Sequence, residues 1–443
     1  AVVSSVVPPA PARTPLPEGT IPVGIGLLLA GFATYAFFRV GTVAVGGPDE
    51  FEPLASLWFV TFALAPGLFL PLEQELGRAI SHRRALGQGS QPVIQKVVRL
   101  GAVMVGIAVL CTAIAGPFLA SSYFDGDWIM VVALALTFVG YAPAHLARGI
   151  CSGSGRFTEY AIIMGSDGIV RIVLCVVLAI IGITAVGAYG LVIAISPLFA
   201  VAYVYRRGGL RSEPGPEADW HEVTPNLGWL LLGSIFAATL LNAGPIAASA
   251  LAGENEDGLV TAFSYGVLLA RIPLFLFQAV QAALLPRLSR LAARGEIDEF
   301  RAGLRRLIVV VIGVGLVGVA GSLLLGSWAI NLVYKEDLSG RTLAMLSFSS
   351  ACYMMSLAIG QAVIALKGHA LVAVGWGIGV LTFLLSMWVN GEEVFRRIEV
   401  ALVLSSLATT IVFAIALQFR LRSGVVPDRG SIMEAITDMP FET

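Results

Sequence analysis

Charged residues are scarce in this sequence. They make up 13% of its 443 residues, whereas hydrophobic residues make up 57%, and the mean hydropathy is +0.85. A soluble globular domain carries about 25% charged residues. The composition therefore excludes that class and indicates a chain that crosses a membrane many times. The net charge of −1 provides no overall basic field, so we expect no nucleic-acid partner.

Cysteines and catalytic motifs are also scarce. The four cysteines are scattered, with neither metal-ligand spacing nor a disulfide framework. The sequence contains no Walker A loop, no HExxH motif and no nucleophile motif, so neither ATP nor a metal is predicted as a cofactor. The longest connections between apolar segments, about 74–97, 206–225 and 286–305, are too short to fold as catalytic domains. We therefore predict a protein that is not an enzyme and has no cofactor.

Long apolar segments dominate the rest of the chain, and twelve of them could cross a bilayer as helices. They are 20–44, 51–73, 98–121, 127–147, 158–182, 186–205, 226–250, 259–285, 306–333, 342–366, 370–390 and 397–420. The sequence therefore predicts an all-α polytopic membrane protein. Its predicted parts are a disordered tail at 1–19, a six-helix bundle at 20–205, a cytoplasmic linker at 206–225, a second six-helix bundle at 226–421 and a cytoplasmic tail at 422–443.

Two further patterns organise these segments. Shifting the stretch 67–99 by 206 residues places Leu68 on Leu274 and Arg84 on Arg290, which indicates two copies of one six-helix unit. Of the 28 Lys and Arg residues, 21 lie on one side of the segments and four on the other, and three lie within them. The positive-inside rule then predicts that both termini are cytoplasmic. An even number of helices in each unit predicts a parallel repeat, related by an axis along the membrane normal.

Charges within the membrane are the first candidates for a binding site. Arg271 lies roughly 20 Å along the eighth segment, near the middle of a hydrocarbon layer about 30 Å thick. Ser264 and Gln278 lie seven residues to either side and are predicted to share its helical face. No acidic residue lies one turn away from Arg271. We therefore expect this face to line a cavity and to contribute to substrate binding.

Arg171, in the fifth segment, is predicted to lie at a depth similar to that of Arg271. Asp167 precedes it by one helical turn on the same face. Arginine suits phosphate because its planar fork binds two oxygens, so both residues are candidates for substrate binding. An equally supported alternative is that Asp167 and Arg171 form an ion pair with a purely structural role, which locks the helix. Arg39 lies about five residues from the end of the first segment. It is either a candidate for lining the cavity or a side chain that extends to the membrane interface.

The remaining polar residues receive simpler interpretations. Glu73 and Glu75 are expected to form a solvated helix end rather than a proton site. His145 is assigned no role because it lacks ligand spacing. The amide of Asn242 is expected to join neighbouring helices by hydrogen bonds.

Three groups of residues occur in an order that matches this topology. They are 47–51 (GPDEF) after the first segment; Arg148, 153–157 (GSGRF) and Tyr160 between the fourth and fifth; and Tyr265, Arg271, Pro273, Gln281, 285–290 (LPRLSR) and 298–300 in and after the eighth. Together they resemble polysaccharide (O-antigen-type) flippases, which share a superfamily with lipid II flippases and MATE exporters. The resemblance implies two six-helix bundles around a central cavity that opens alternately to either side. It also implies a polyprenyl-pyrophosphate-linked sugar as substrate, contacted by cavity arginines at Arg271 and Arg171.

The resulting hypothesis is a flippase of the bacterial cytoplasmic membrane that moves a polyprenyl-(pyro)phosphate-linked saccharide for cell-envelope polysaccharide synthesis. Its expected partners are that saccharide, membrane lipids and envelope glycosyltransferases or a polymerase. The predicted substrate-binding residues are Arg271, Arg171, Asp167, Gln278, Ser264 and Arg39. One alternative is a multidrug or ion antiporter of the same fold, which should favour carboxylates in the cavity. Another is a membrane scaffold for envelope assembly that transports nothing.

Overall fold

The computed structural model describes residues 20–223, 227–253, 257–274, 277, 291, 296–366, 368–389 and 393–422. These residues include twelve α-helices of 14 residues or more, a 3-10 helix at Trp220–Glu222 and no strand. The helices are α1 (Thr20–Val45), α2 (Pro48–Ala85), α3 (Gln91–Tyr123), α4 (Trp128–Gly153), α5 (Phe157–Ile180), α6 (Val186–Arg206), α7 (Leu227–Leu251), α8 (Asp257–Ala270), α9 (Ile297–Tyr334), α10 (Gly340–Ala365), α11 (His369–Val389) and α12 (Val394–Arg422). The predicted tails, 1–19 and 422–443, lie outside the described residues except for Arg422.

Eleven of these helices are long and apolar enough to cross a membrane, and the region of α8 forms a shorter apolar helix. These helices are those of a multi-pass membrane protein, and the predicted all-α fold class is confirmed. Helices α2 and α9 each contain 38 residues and extend well beyond their apolar segments.

The eighth helix differs from the prediction of one continuous helix over 259–285. Helix α8 ends at Ala270, and a turn follows at Arg271, whose N–H donates to the Leu268 carbonyl at 3.1 Å. The physical reason is Pro273, which has no N–H to continue the helical hydrogen bonds. Arg271 therefore lies at a break in the helix. Gln278, predicted to lie on the same face, falls outside the described residues.

Helices α1–α6 form one bundle, the N-bundle, and helices α7–α12 form the other, the C-bundle. In the N-bundle, α1 packs against α5, α2 and α3 pack against α4, and α6 packs against both α4 and α5. In the C-bundle the equivalent pairs are α7–α11, α8–α10, α9–α10, α10–α12 and α11–α12. Helix α3 begins at Gln91 and α9 at Ile297, which reproduces the 206-residue offset. Tyr141 and Tyr353 are each the fourteenth residue of a 26-residue helix. The predicted internal repeat is confirmed.

Helix α2 joins the two bundles, because it packs against both α7 and α8. The end of the molecule where α2 begins, with Asp125 and Asp127 between α3 and α4, is here named the acidic end. The opposite end, where α2 finishes and α3 starts, is the basic end. An open cavity of about 690 Å³ lies at the acidic end, and its wall includes five carboxylates. They belong to Asp49, Glu50, Glu52, Asp125 and Asp127.

The bundles touch at the acidic end around one tyrosine. The hydroxyl of Tyr265 in α8 is hydrogen-bonded to that of Thr42 in α1. Its ring stacks on Tyr334 of α9, with centroids 3.9 Å apart, and packs against Phe38 of α1. Beside it, the Thr261 hydroxyl donates to the Pro48 carbonyl at 2.7 Å. These contacts hold the N-bundle and the C-bundle together at this end.

Candidate functional site

The two predicted arginines both lie against α2. The guanidinium of Arg171 lies 5.4 Å from the ring centroid of Phe62, and that of Arg271 lies 5.4 Å from the ring centroid of Phe59. Since Phe59 and Phe62 are three residues apart, their positions differ by only about 4.5 Å along the helix axis. The two guanidinium groups therefore lie at nearly the same depth, as the sequence predicted.

Arg271 is buried, with 4% of its surface exposed, and is held by helix α7. It donates to the Asn242 side-chain oxygen at 3.1 Å and to the Leu241 carbonyl. That carbonyl is available because Pro245, four residues further on, lacks the N–H that would have bonded it. No carboxylate among the described residues pairs with Arg271. Its guanidinium thus remains an uncompensated charge between α7, α8 and α2.

A narrow cavity of about 30 Å³ adjoins this guanidinium within the C-bundle. Its wall combines the charge of Arg271 with four hydroxyl groups, and no carboxylate is found among its described lining residues. The hydroxyl groups belong to Ser349, Ser350, Tyr353 and Ser406. This volume holds one or two water molecules, so a phosphate or a sugar enters only if the surrounding helices move apart. The chemistry of the wall suits an anion with several oxygen atoms.

Arg171 has an acidic partner, unlike Arg271. It donates to Asp167 at 2.5 Å and to the Tyr141 hydroxyl at 2.9 Å. One carboxylate oxygen of Asp167 and the Nε of Arg171 are buried without a hydrogen-bond partner among the described residues. The predicted ion pair is therefore present. The pair also retains an unused acceptor and an unused donor, so the structure leaves the ligand-binding role of Arg171 as a proposal.

A second buried polar cluster lies closer to the basic end of the N-bundle. The Glu73 carboxylate accepts hydrogen bonds from Arg148 at 2.8 and 3.0 Å and from Tyr160 at 2.9 Å. The His145 Nδ1 lies 2.8 Å from the same carboxylate, which accepts a hydrogen bond from this nitrogen when it carries the ring proton. Glu73 is 5% exposed. The expectation of a solvated helix end at Glu73 is therefore wrong, and His145 has a defined partner.

Close approach of two backbones explains this burial. A Cβ atom on Gly149 of α4 would lie 2.7 Å from the Glu73 carbonyl, and one on Gly153 would lie 2.6 Å from the Gly77 carbonyl. Small residues let α4 approach α2 closely enough to enclose Glu73. The signal available in the sequence was the placement of His145 and Arg148 on one face of α4, but the partner helix could not be read from it.

The other predicted site residues are more peripheral to the two arginines. Ser264 is buried in α8. Arg39 is partly buried in α1 and forms no hydrogen bond or ion pair with another residue in the described ranges. It lies within electrostatic reach of Tyr265 and Tyr334, and hence beside the contact that joins the bundles at the acidic end. The structure therefore brings Arg171, Asp167 and Arg271 together around α2, and places Arg39 elsewhere.

Comparison with known proteins gives relatives and a fold. No family model matches the sequence. Two uncharacterized proteins of Mycobacterium tuberculosis are each 24% identical to it. One alignment covers 365 residues, which are 76% of this chain and 79% of the relative. The other covers 385 residues, which are 82% of this chain and 84% of the relative.

The solved structures are more informative about the fold. A mutant of the Vibrio cholerae MATE transporter VcmN superposes with a TM-score of 0.69, covering 92% of this chain and 98% of its own, at 14% identity. The chain has the MATE transporter fold. Two structures of multidrug resistance MATE family transporters of the MOP superfamily also match. The outward-facing one has a TM-score of 0.64 at 14% identity and covers 92% of this chain and 95% of its own. The inward-facing one has a TM-score of 0.62 at 12% identity and covers 96% of each chain.

Proposed function

We propose that this protein is a transporter of the bacterial cytoplasmic membrane that moves a polyprenyl-(pyro)phosphate-linked saccharide across the bilayer by alternating access. The observation that carries the proposal is Arg271. A guanidinium buried in a membrane protein without an acidic partner costs several kcal/mol and usually marks a functional site. The two M. tuberculosis relatives carry no assigned function, so the substrate class is argued from the site and the resemblance.

The geometry at Arg271 suits a phosphate group. A guanidinium has five N–H donors, and described acceptors engage two of them here. The remaining donors, with the hydroxyl of Tyr353 and those of the neighbouring serines, match the oxygen atoms of a phosphate and its attached sugar. We propose that Arg171, with its unused Nε, and Asp167 contact the same substrate from the N-bundle. Ser264, Gln278 and Arg39 remain proposed contacts along its route.

Alternating access follows from the place of α2. Phe59 on this helix covers Arg271, and Phe62 covers Arg171, so both arginines become accessible only when α2 moves relative to its neighbours. In the present arrangement the bundles are joined at the acidic end around Tyr265, and the cavity beside Arg271 is small. We propose that separation of the bundles admits the substrate between them.

The charge distribution supports one direction of transport. We propose that the basic end and both termini lie in the cytoplasm, as the positive-inside rule predicts. A bound anion that reaches the acidic end meets the cavity lined by five carboxylates, which repels it into the outer medium. Glycosyltransferases that make the lipid-linked saccharide, and a polymerase that consumes it, are the partners that this non-enzymatic role implies.

A multidrug or ion antiporter is the second candidate. The buried carboxylates of Asp167 and Glu73 favour it, since such groups can take up a proton or a cationic compound, and several structural neighbours are multidrug transporters. Each of these carboxylates is, however, paired with an arginine. Together with the uncompensated Arg271, the charges described around α2 add up to a positive site, which disfavours cations.

Reconstitution tests these alternatives directly. Purified protein in liposomes would be supplied with a fluorescent polyprenyl-pyrophosphate oligosaccharide, and its appearance in the opposite leaflet would be followed with a membrane-impermeant quencher. Ethidium uptake driven by a pH or sodium gradient would be measured in the same preparation. Flipping of the saccharide lipid without ethidium transport supports the proposal. Ethidium transport alone identifies the antiporter, and the absence of both identifies a scaffold.

A further inference from the structure

The linker between the two bundles is folded against the N-bundle. Residues 207–223, here named the strap, leave α6 and run along the basic end; they form turns at 207–210, an irregular stretch at 211–219 and a 3-10 helix at Trp220–Glu222. Its side chains Ala218 and Val223 are buried in the main hydrophobic core, at 3% and 0% exposure. A chain segment that merely tethers two bundles has no reason to bury its apolar residues. The strap is therefore packed into the protein.

Arg83, near the end of α2, binds the strap with four of its five N–H groups. It forms a two-pronged pair with the Glu222 carboxylate, at 2.7 and 2.9 Å. It also donates to the Pro216 carbonyl at 2.8 Å and the Glu217 carbonyl at 3.2 Å, both in the strap, and to Gly89 at 3.1 Å. All five of its N–H groups thus have an acceptor. Although it lies at the basic end, Arg83 is only 2% exposed.

Other basic residues of the N-bundle repeat this pattern. Arg156 donates to the carbonyls of Gly209 and Arg211 at 2.6 Å each. Arg78 donates to the Glu222 carbonyl at 2.5 Å, and Lys96 donates to that of Ala218. Cations at the cytoplasmic side of a membrane protein ordinarily serve as a topology signal and meet lipid headgroups. Here four of them bind the backbone of the strap.

Two backbones also cross at van der Waals distance. A Cβ atom on Gly89, in the loop between α2 and α3, would lie 1.9 Å from the Pro214 carbonyl. A Cβ atom on Gly215 would lie 2.2 Å from the Gly89 carbonyl. The Gln91 N–H donates to the Glu213 carbonyl at 3.0 Å beside this crossing. The strap therefore has a fitted path across the loop, independent of the charges on Arg83.

We propose that Arg83 locks the strap to the N-bundle, and that this lock limits how far the basic ends of the two bundles can separate. Helix α6 ends at Arg206 and α7 begins at Leu227. An unattached linker of this length could span roughly 70 Å, but a linker fixed as far as Val223 leaves at most about 14 Å. The limit on separation rests on the proposed alternating access, whereas the lock itself does not.

Limited proteolysis of the purified full chain in nanodiscs tests the lock. A glutamate-specific protease would be applied, and the cleavage rate after Glu217 would be followed by mass spectrometry. Arg83→Ala is expected to accelerate this cleavage at least tenfold, because loss of one charge-assisted hydrogen bond alone shifts an equilibrium about ten- to hundredfold. The control is Arg84→Ala. That neighbouring arginine donates to Ser154 at 2.8 Å and not to the strap, so cleavage should be unchanged.

Gly89→Ala provides a second variant that leaves every charge in place. It should release the strap by collision with Pro214, and it keeps the proposal testable if Arg83→Ala does not fold. Equal cleavage rates in wild type, Arg83→Ala and Gly89→Ala would overturn the lock. Because the assay involves no substrate, its result is independent of whether the protein transports a saccharide.

The limit on separation has its own measurement. Spin labels would be placed at Leu86 and Trp229, which are 58% and 46% exposed near the ends of α2 and α7, in a chain without native cysteines. Double electron–electron resonance should show a broader distance distribution, extended to longer distances, in Arg83→Ala than in Arg84→Ala. An identical distribution in a variant whose strap is cleaved rapidly would show that the lock exists but does not restrain the bundles.

Discussion

The Asp167–Arg171 pair offers a quantitative test of the site in the N-bundle. Both groups lie within a membrane-spanning helix, and their side chains are 18% and 3% exposed. Removing one partner of a buried ion pair typically costs about 3–5 kcal/mol, whereas replacing both is often nearly neutral. We therefore expect Asp167→Asn and Arg171→Gln each to destabilise the protein by about 3–5 kcal/mol. The double variant should lie within roughly 1–2 kcal/mol of wild type.

The two single variants should not be equal. Without Arg171, the remaining carboxylate can accept a proton and become neutral, whereas the guanidinium left without Asp167 cannot lose one. Asp167→Asn should therefore be the more damaging change, because the charged Arg171 would then have only neutral neighbours, such as the Tyr141 hydroxyl at 2.9 Å and the ring of Phe62. Unfolding can be followed with a thiol-reactive dye, because Cys175 is buried on the same helix one turn beyond Arg171.

The same three variants separate a structural role from a ligand role. If the double variant regains both stability and transport, Arg171 is only the partner of Asp167 and does not bind substrate. If it regains stability but remains inactive, the proposed contact with substrate is supported. A double variant whose destabilisation equals the sum of the two single values would refute the reasoning, because the two charges would then contribute independently.

Three further predictions concern other parts of the molecule. The hydrogen bonds from Arg83 hold the pKa of Glu222 below its usual value of 4.5. The lock should therefore be complete above pH 4.5 and weaken as the pH falls through the lowered pKa. Amide hydrogen exchange in the strap should become faster in acid, and Glu222→Gln should abolish this pH dependence. A cysteine at Asp49 should react with an impermeant reagent added outside the cell; labelling only from the cytoplasm would contradict the assigned topology. Tyr265→Ala should weaken the contact between the bundles at the acidic end and increase labelling of a cysteine at Thr42; unchanged labelling would show that this contact does not close the interface.

Much of the fold was accessible from the sequence because hydrophobic length and charge bias are local signals. The twelve segments, the repeat and the similar depth of Arg171 and Arg271 could all be obtained from spacing along the chain. The break at Arg271 was also encoded, by Pro273, but a long apolar segment outweighed a single proline in the prediction.

The features that the sequence did not yield depend on which helices meet. Glu73 looked like a solvated residue until α4 was seen to approach α2 through Gly149 and Gly153. Arg271 has no acidic partner among the described residues, but one of its hydrogen bonds to α7 depends on a carbonyl freed by Pro245. Arg83 was counted only as a topology signal, because most of its acceptors, the Glu222 carboxylate and the carbonyls of Pro216 and Glu217, lie more than 100 residues away.

The most direct test of the central claim is the flipping rate of a polyprenyl-pyrophosphate oligosaccharide by wild type, Arg271→Lys and Arg271→Gln in liposomes. Lysine keeps the charge but cannot form the two-pronged contact with a phosphate, so we expect the flipping rate to fall about tenfold or more. Glutamine should reduce flipping further, while the amount of folded protein stays normal, because an uncompensated charge has been removed from the membrane. Full activity of Arg271→Gln would contradict the account, since Arg271 would then serve only to bind the Leu241 carbonyl and Asn242.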